Sequence, residues 1–267
     1  MIERTSPEAT PEFKQPSDTK HILDFNPDRL MEPTTDCANI GRDKKAEEAR
    51  PLEAQRSDPD YLAKPIMGVD ATREGFQTLE NGNSIYDHPF EIADKLNCNQ
   101  GNAVPGFAGT CGLVSVENVC RLAGKENVTE ADIINVAMAH GDCDYHFREQ
   151  PEENGGTTSE QIRDILSLVG IESAVLGLPS IEDVARNVEA GHGVIAGVDV
   201  SEFWDSPFCE GLHAVTVTSV ERDSAGNVAG FYVCDSGTGG IDGCRRVGAG
   251  VLDSALFEAI VTSKPIR

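Results

Sequence analysis

From about residue 85 onward, the apolar positions fall into short blocks whose period can be read directly. Thr110 can cap a helix in which Leu113, Val114, Val116, Val119, Cys120 and Leu122 recur at helical spacing and Gly124 stops the run. Thr129 and Asp132 make a capping box, with Asp in place of the usual Glu, ahead of Ile133, Ile134, Val136, Ala137 and Met138. Thr158 and Gln161 make a second box, opening a helix that buries Ile162, Ile165, Leu166 and Val169 and ends at Gly170. Ser180 starts a fourth helix through Ile181, Val184, Ala185 and Val188, closed by Gly191.

Beyond residue 190 the period shortens. "GVIAGVDV" reads as a buried strand, and "HAVTVTSVE" alternates from His213 to Glu221. "RDSAGN" supplies turn residues, and "VAGFYVCD" returns as the partner strand of a hairpin. "SGTGGIDG" is a glycine-rich loop, followed by a short strand and a last helix near Leu252–Ile260. Helices first and antiparallel strands later predict an α+β domain with two lobes over residues 85–267.

Residues 1–65 read differently. They hold 8 of the 14 prolines and few apolar clusters, so they are expected to be a disordered tail or linker with a short helix near "KKAEEARPLEAQ". The start lacks the apolar core of a secretory signal peptide, and no window approaches the roughly 18 apolar residues of a membrane-spanning helix.

Net charge sharpens the picture. The chain carries -23, of which -4 lies in residues 1–65 and -19 in the remainder. Such a surface repels phosphate backbones, which excludes nucleic acid as a partner and favours a basic protein. The eight cysteines (37, 98, 111, 120, 143, 209, 234 and 244) include no CxxC pair. Most are expected to be small buried hydrophobes rather than a disulfide framework.

One cysteine stands apart. Cys111 lies at a predicted helix N-terminus, where unpaired N–H groups and the helix dipole stabilise a thiolate. His213 opens the first strand of the hairpin and Asp235 ends the second, so pairing outward from the turn brings them within a residue or two of each other. A carboxylate on one imidazole nitrogen leaves the other to face a thiol, the layout of a nucleophile, its base and the orienter of that base. Gln100 in "NCNQGN", or Asn102 beside it, would complete an oxyanion hole with the Cys111 N–H.

Other stretches carry weaker chemistry. "HGDCDYH" offers His140, Cys143 and His146, one short of a structural zinc set, and is expected to be a loop without metal. "SGTGGIDG" lacks the Lys and Ser/Thr of a phosphate-binding loop. Trp204, the only Trp, sits just before His213 and is expected on a mobile loop that contacts substrate. No cofactor and no metal are expected.

The segments "GTCGLVSVENVCRLAG", "GGTTSEQIRDILSLVGI", "GHGVIAGVDV" and "GLHAVTVTSVERDSAGNVAGFYVCDSGTG" resemble papain-like cysteine peptidases of the C39-like type. The resemblance is closest to the papain-like domains of interbacterial effector toxins, and it spans about Asp87 to Ile260. It implies a papain-like two-lobed fold with Cys111 as nucleophile, His213 as base and Asp235 as orienting residue. Such peptidases place the oxyanion Gln about six residues before the Cys, where this chain has Pro105, so Gln100 requires a longer loop. Cleavage after small residues, often a double glycine, is also implied. So is a toxin made in the bacterial cytoplasm and delivered by a specialised secretion system into a target cell, where it meets a protein substrate. A cognate immunity protein would be its second partner. Two alternatives stand beside protease activity: a papain-fold deamidase or transglutaminase acting on a Gln side chain, and an inactive papain-like binding module.

Overall fold

The structure, a computed structural model, describes residues 75–79, 81–145, 154–207, 209–238 and 244–267. The expected tail over residues 1–65, Cys37, His146 and residues 239–243 of the glycine-rich loop lie outside the described residues.

The four helices predicted between Thr110 and Gly191 are present, and three of them start as the sequence dictates. Helix α1 spans Pro89–Ala93, α2 Cys111–Leu122, α3 Glu130–His140, α4 Ser159–Leu168 and α5 Ile181–Glu189. Thr129, Thr158 and Ser180 adopt extended backbone, and each makes a reciprocal capping box with Asp132, Gln161 or Asp183. Helix α2 is the exception. Thr110 has φ -93° and ψ 21°, and its side chain caps nothing. Its hydroxyl instead donates to the buried Glu130 carboxylate and accepts from the Gly101 N–H at 3.0 Å. The first N–H groups of α2 therefore receive no cap from Thr110.

The strands are β1 Phe76–Thr78, β2 Ser84–Tyr86, β3 Ser173–Gly177, β4 Val194–Asp199, β5 Leu212–Arg222, β6 Val228–Cys234, β7 Cys244–Gly248 and β8 Leu256–Thr262. All recorded pairings are antiparallel. The long β5 organises the sheet. Its Leu212–Val217 portion pairs with β4, its Thr216–Arg222 portion pairs with β6, and its last two residues pair with β2. Beyond β4 come β8 and then β3, and beyond β6 comes β7.

The sheet is buried on both faces, which is why β4 and β5 are buried along nearly their whole length, β4 as an apolar run and β5 with Thr, Ser and His between its apolar residues. Leu113, Val116, Val119, Ile133 and Ile165 from α2–α4 pack with Ile195, Ala214 and Ile260. Val184, Val188, Leu252 and Ala255 pack with Val194, Val215, Val217 and Ala259. The class is α+β, but helices and strands are interleaved, since β3 precedes α5 and pairs with β8.

After the short α6, Val200–Phe203, the last expected helix is corrected. Helix α7 spans only Ala249–Ala255, and Leu256–Thr262 continues as strand β8 between β4 and β3. A short apolar run is ambiguous by periodicity alone, and the two flanking strands decide it. The sheet also begins upstream of residue 85, with β1 and β2.

Candidate active site

Cys111 is the first residue of α2 and is half-buried, with its thiol free. Gly112 allows the helix to start there. A Cβ at that position would lie 2.1 Å from Thr157 Oγ1 and 2.9 Å from Ile162 Cδ1, so the start of α2 can meet α4 closely only without a side chain.

The hairpin brings the other two groups together. Thr216 is opposite Cys234, and Arg222 is opposite Val228. Between them lie two irregularities, one adding a residue to β5 near Thr218 and one adding a residue to β6 near Ala229. They cancel, so counting outward from the turn holds. The buried His213 Nε2 lies 2.8 Å from Oδ1 of the fully buried Asp235. That leaves Nδ1 for the Cys111 thiol, whose acidity His213 increases. Gly237 closes the back of the pair. A Cβ there would lie 2.8 Å from the Trp204 ring and 3.0 Å from His213 Cε1.

Asp235 has four donor residues. His213 and the Gly237 N–H, at 3.1 Å, engage Oδ1. The Trp204 indole N–H, at 3.0 Å, and Arg245 Nε and Nη2, at 3.2 and 3.1 Å, engage Oδ2. Trp204 thus turns its N–H inward, with its ring centroid 5.2 Å from that of His213, rather than outward to the substrate contact expected of it. Arg245 lies over the Phe203 ring at 4.6 Å. Sequence reasoning missed Arg245, because nothing local ties it to a carboxylate ten residues earlier.

The electrostatics follow from these contacts. Burial pushes the Cys111 thiol up, but the hydrogen bond and charge of His213 and the N–H groups of Ala214 and Gly112 outweigh it, leaving the thiol more acidic than usual. Burial pushes His213 down, but Asp235 and then Cys111 raise it to about 10. Burial likewise opposes ionisation of Asp235, yet His213, Arg245 and Trp204 hold it well below the ordinary carboxylate range. These directions describe a thiolate–imidazolium pair that titrates as a unit.

Gln100 spans the loops on either side of this pair. Its Nε2 donates to the Ala108 carbonyl at 3.0 Å, and its Oε1 accepts from the hydroxyl of Ser236, the residue after Asp235, at 2.9 Å. Asn102 is exposed. At "HGDCDYH", His140 is exposed at the end of α3, whereas Cys143 is buried with its thiol raised to about 11 by burial and by Asp144 and Asp142.

Three other cysteines gather near the site. Cys98 and Cys234 form a disulfide with Cα atoms 5.7 Å apart, and Cys98 Sγ also lies 2.7 Å from Cys244 Sγ. This corrects the expectation that these three are separate hydrophobes. Cys120 and Cys209 are free and buried, as expected. The three clustered sulfurs are the metal-ligand type set found among the described residues. Residues 98, 234 and 244 are too far apart in sequence for spacing to have announced them.

No family model and no curated protein matches the chain. Among solved structures, a crystal structure titled as that of a "putative C39-like peptidase" from Bacillus anthracis is similar to it. The similarity covers 63% of this chain and 95% of that one, with 15% sequence identity and a TM-score of 0.41.

Proposed function

We propose that this protein is a papain-like cysteine peptidase in which Cys111, His213 and Asp235 form the catalytic triad. The observation that carries the reading is the free, half-buried Cys111 at the start of α2, made more acidic by a buried His213 whose Nε2 is 2.8 Å from Asp235. The cleft would lie where the start of α2, on the helical side, meets the end of the sheet that carries His213 and Asp235.

In this mechanism the Cys111 thiolate attacks the carbonyl carbon of a substrate amide. The oxyanion is held by the Cys111 N–H and the second Nε2 hydrogen of Gln100, the first being given to Ala108. His213 Nδ1 passes its proton to the leaving amine. It then takes one from the water that hydrolyses the acyl-thioester. Asp235 keeps the Nε2 proton in place, so the ring stays oriented through both half-reactions.

The resemblance of the sequence to effector-toxin domains extends the proposal. The substrate would be a protein cut at a small residue such as Gly, within a target cell, and an immunity protein would block the cleft. Expression of wild type and Cys111→Ala in bacteria, with comparison of proteomes for new N-termini, tests the reading. New termini after small residues, seen with wild type alone, are expected. Toxicity that survives Cys111→Ala overturns it, and a +1 Da change on a target without new termini moves the assignment to deamidation.

A further inference from the structure

Three segments converge behind the candidate triad, each through a cysteine. Cys98 lies two residues before Gln100, Cys234 immediately precedes Asp235, and Cys244 immediately precedes Arg245. Cys234 and Cys244 are direct cross-strand partners on β6 and β7. Cys98 is joined to the first and sits 2.7 Å from the sulfur of the second, closer than non-bonded heavy atoms rest, about 3.5–4.0 Å between carbons. All three are buried, against Ile85 and Tyr232.

We propose that Cys98, Cys234 and Cys244 form a thiol–disulfide exchange site in which Cys98 bonds to either strand cysteine. In both pairings it staples the Gln100 segment to the Asp235–Arg245 end of the sheet. In the exchange, the Cys244 sulfur attacks Cys98 Sγ and its proton passes to the leaving Cys234, whose sulfur lies within 4.8 Å. The Cys98–Cys244 bond forms as the Cys98–Cys234 bond breaks, and the electron pair leaves on Cys234, which takes up a proton. No net oxidation occurs, so no small molecule has to enter. The surroundings fit the leaving side of the exchange. The Asn118 amide N–H lies 3.3 Å from Cys234 Sγ and supports the leaving thiolate, and the Asn97 carbonyl, at 3.2 Å, accepts from its S–H afterwards. Burial and the charges of Asp235 and Asp94 push the Cys244 thiol up to about 12, which keeps it protonated between exchanges.

A metal site explains the cluster less well. Two thiolates on one zinc ion, at about 2.3 Å each, would stand roughly 3.8 Å apart, and a structural zinc takes four ligands. The group among the described residues has three.

The functional consequence rests on the peptidase reading. Gln100 already joins the same two segments through Ala108 and Ser236, so losing the staple loosens the oxyanion donor more than the Cys111–His213 pair. The test uses the full chain, with the disulfide formed by oxidised glutathione, acid quenching, alkylation of remaining thiols and digestion without reduction. Mass spectrometry is expected to find both Cys98–Cys234 and Cys98–Cys244 peptides, with Cys37, Cys111, Cys120, Cys143 and Cys209 alkylated. Cys244→Ser should leave only the first pairing and Cys234→Ser only the second. Alkylated Cys98, one pairing alone in the wild type, or a metal ion in the native mass spectrum overturns the proposal. For the coupling, oxidised protein with Cys111 free should hydrolyse a Gly-Gly-aminomethylcoumarin peptide about tenfold faster than reduced protein, with equal Cys111 alkylation rates. Equal hydrolysis rates overturn the coupling. If neither form cleaves any amide, the peptidase reading has failed, and the peptide map still decides the exchange.

Discussion

Arg245 reaches Asp235 with two nitrogens on one oxygen, Nε at 3.2 Å and Nη2 at 3.1 Å from Oδ2. Both side chains are buried, so the set of Cys111 thiolate, His213 imidazolium, Asp235 carboxylate and Arg245 guanidinium alternates in sign and sums to zero. A buried chain of charges is tolerable when it is neutral and hydrogen-bonded, and costly when one member is removed.

Arg245→Met leaves Asp235 short of its counter-ion. A loss of about 3–5 kcal/mol in unfolding free energy is expected by urea denaturation, with Arg245→Lys losing less because it keeps the charge but not the fork. A loss below about 1 kcal/mol would mean that water replaces the guanidinium freely.

Thiol reactivity should report the thiolate–imidazolium pair. Iodoacetamide is expected to alkylate Cys111 at pH 6 faster than free cysteine, whose pKa is about 8.5, because the Cys111 thiol is the more acidic. His213→Ala removes the main favourable partner while burial remains, so the rate should fall by about tenfold or more. Site-resolved mass spectrometry separates Cys111 from the other thiols.

The pH dependence of stability isolates His213 when Cys111 is replaced by Ala. Asp235 still raises the folded-state value above the ordinary 6.5, so the folded protein holds a proton that the unfolded chain has released. The stabilisation is complete below about pH 6.5. It is lost as pH climbs toward the folded value, which is about 10 with the thiolate present and lower without it. Urea melts between about pH 6 and 8, below the range where the unfolded chain's other thiols ionise, should show the decline in Cys111→Ala and a much shallower profile once His213→Ala is added.

Gln100 and Asn102 can be told apart by kinetics. Gln100→Ala is expected to lower kcat by roughly 10²–10³-fold with little change in KM, the cost of one oxyanion donor. Asn102→Ala, at an exposed position, should be silent. The reverse ranking would transfer the donor role to Asn102.

Gly112→Ala places a methyl 2.1 Å from Thr157 Oγ1 and should cost about 1–3 kcal/mol as α2 shifts from α4. Adding Thr157→Ala removes the nearest obstacle and should recover part of the loss, measured by thermal unfolding. Thr157→Ser keeps the oxygen and should not.

Local rules make much of this fold legible along the chain. Capping boxes at Thr129, Thr158 and Ser180 need only residues three apart, and all three form. Thr110 breaks the rule because a distant carboxylate, Glu130, competes for its hydroxyl. The stretch Leu256–Ile260 reads as helix and folds within strand β8 for a related reason, since its identity depends on β4 and β3 rather than on its own residues.

The sequence alone determined the four helices between Thr110 and Gly191, the hairpin and its register, and with them the approach of His213 to Asp235, because each depends on period and turn chemistry over short spans. Only the tertiary structure decided what surrounds that pair: Arg245 and Trp204 on Asp235, Gln100 between Ala108 and Ser236, and three cysteines gathered behind them. Those contacts join residues from separate elements across a sheet covered on both faces. No periodicity along the chain records which side chains a fold will bury together.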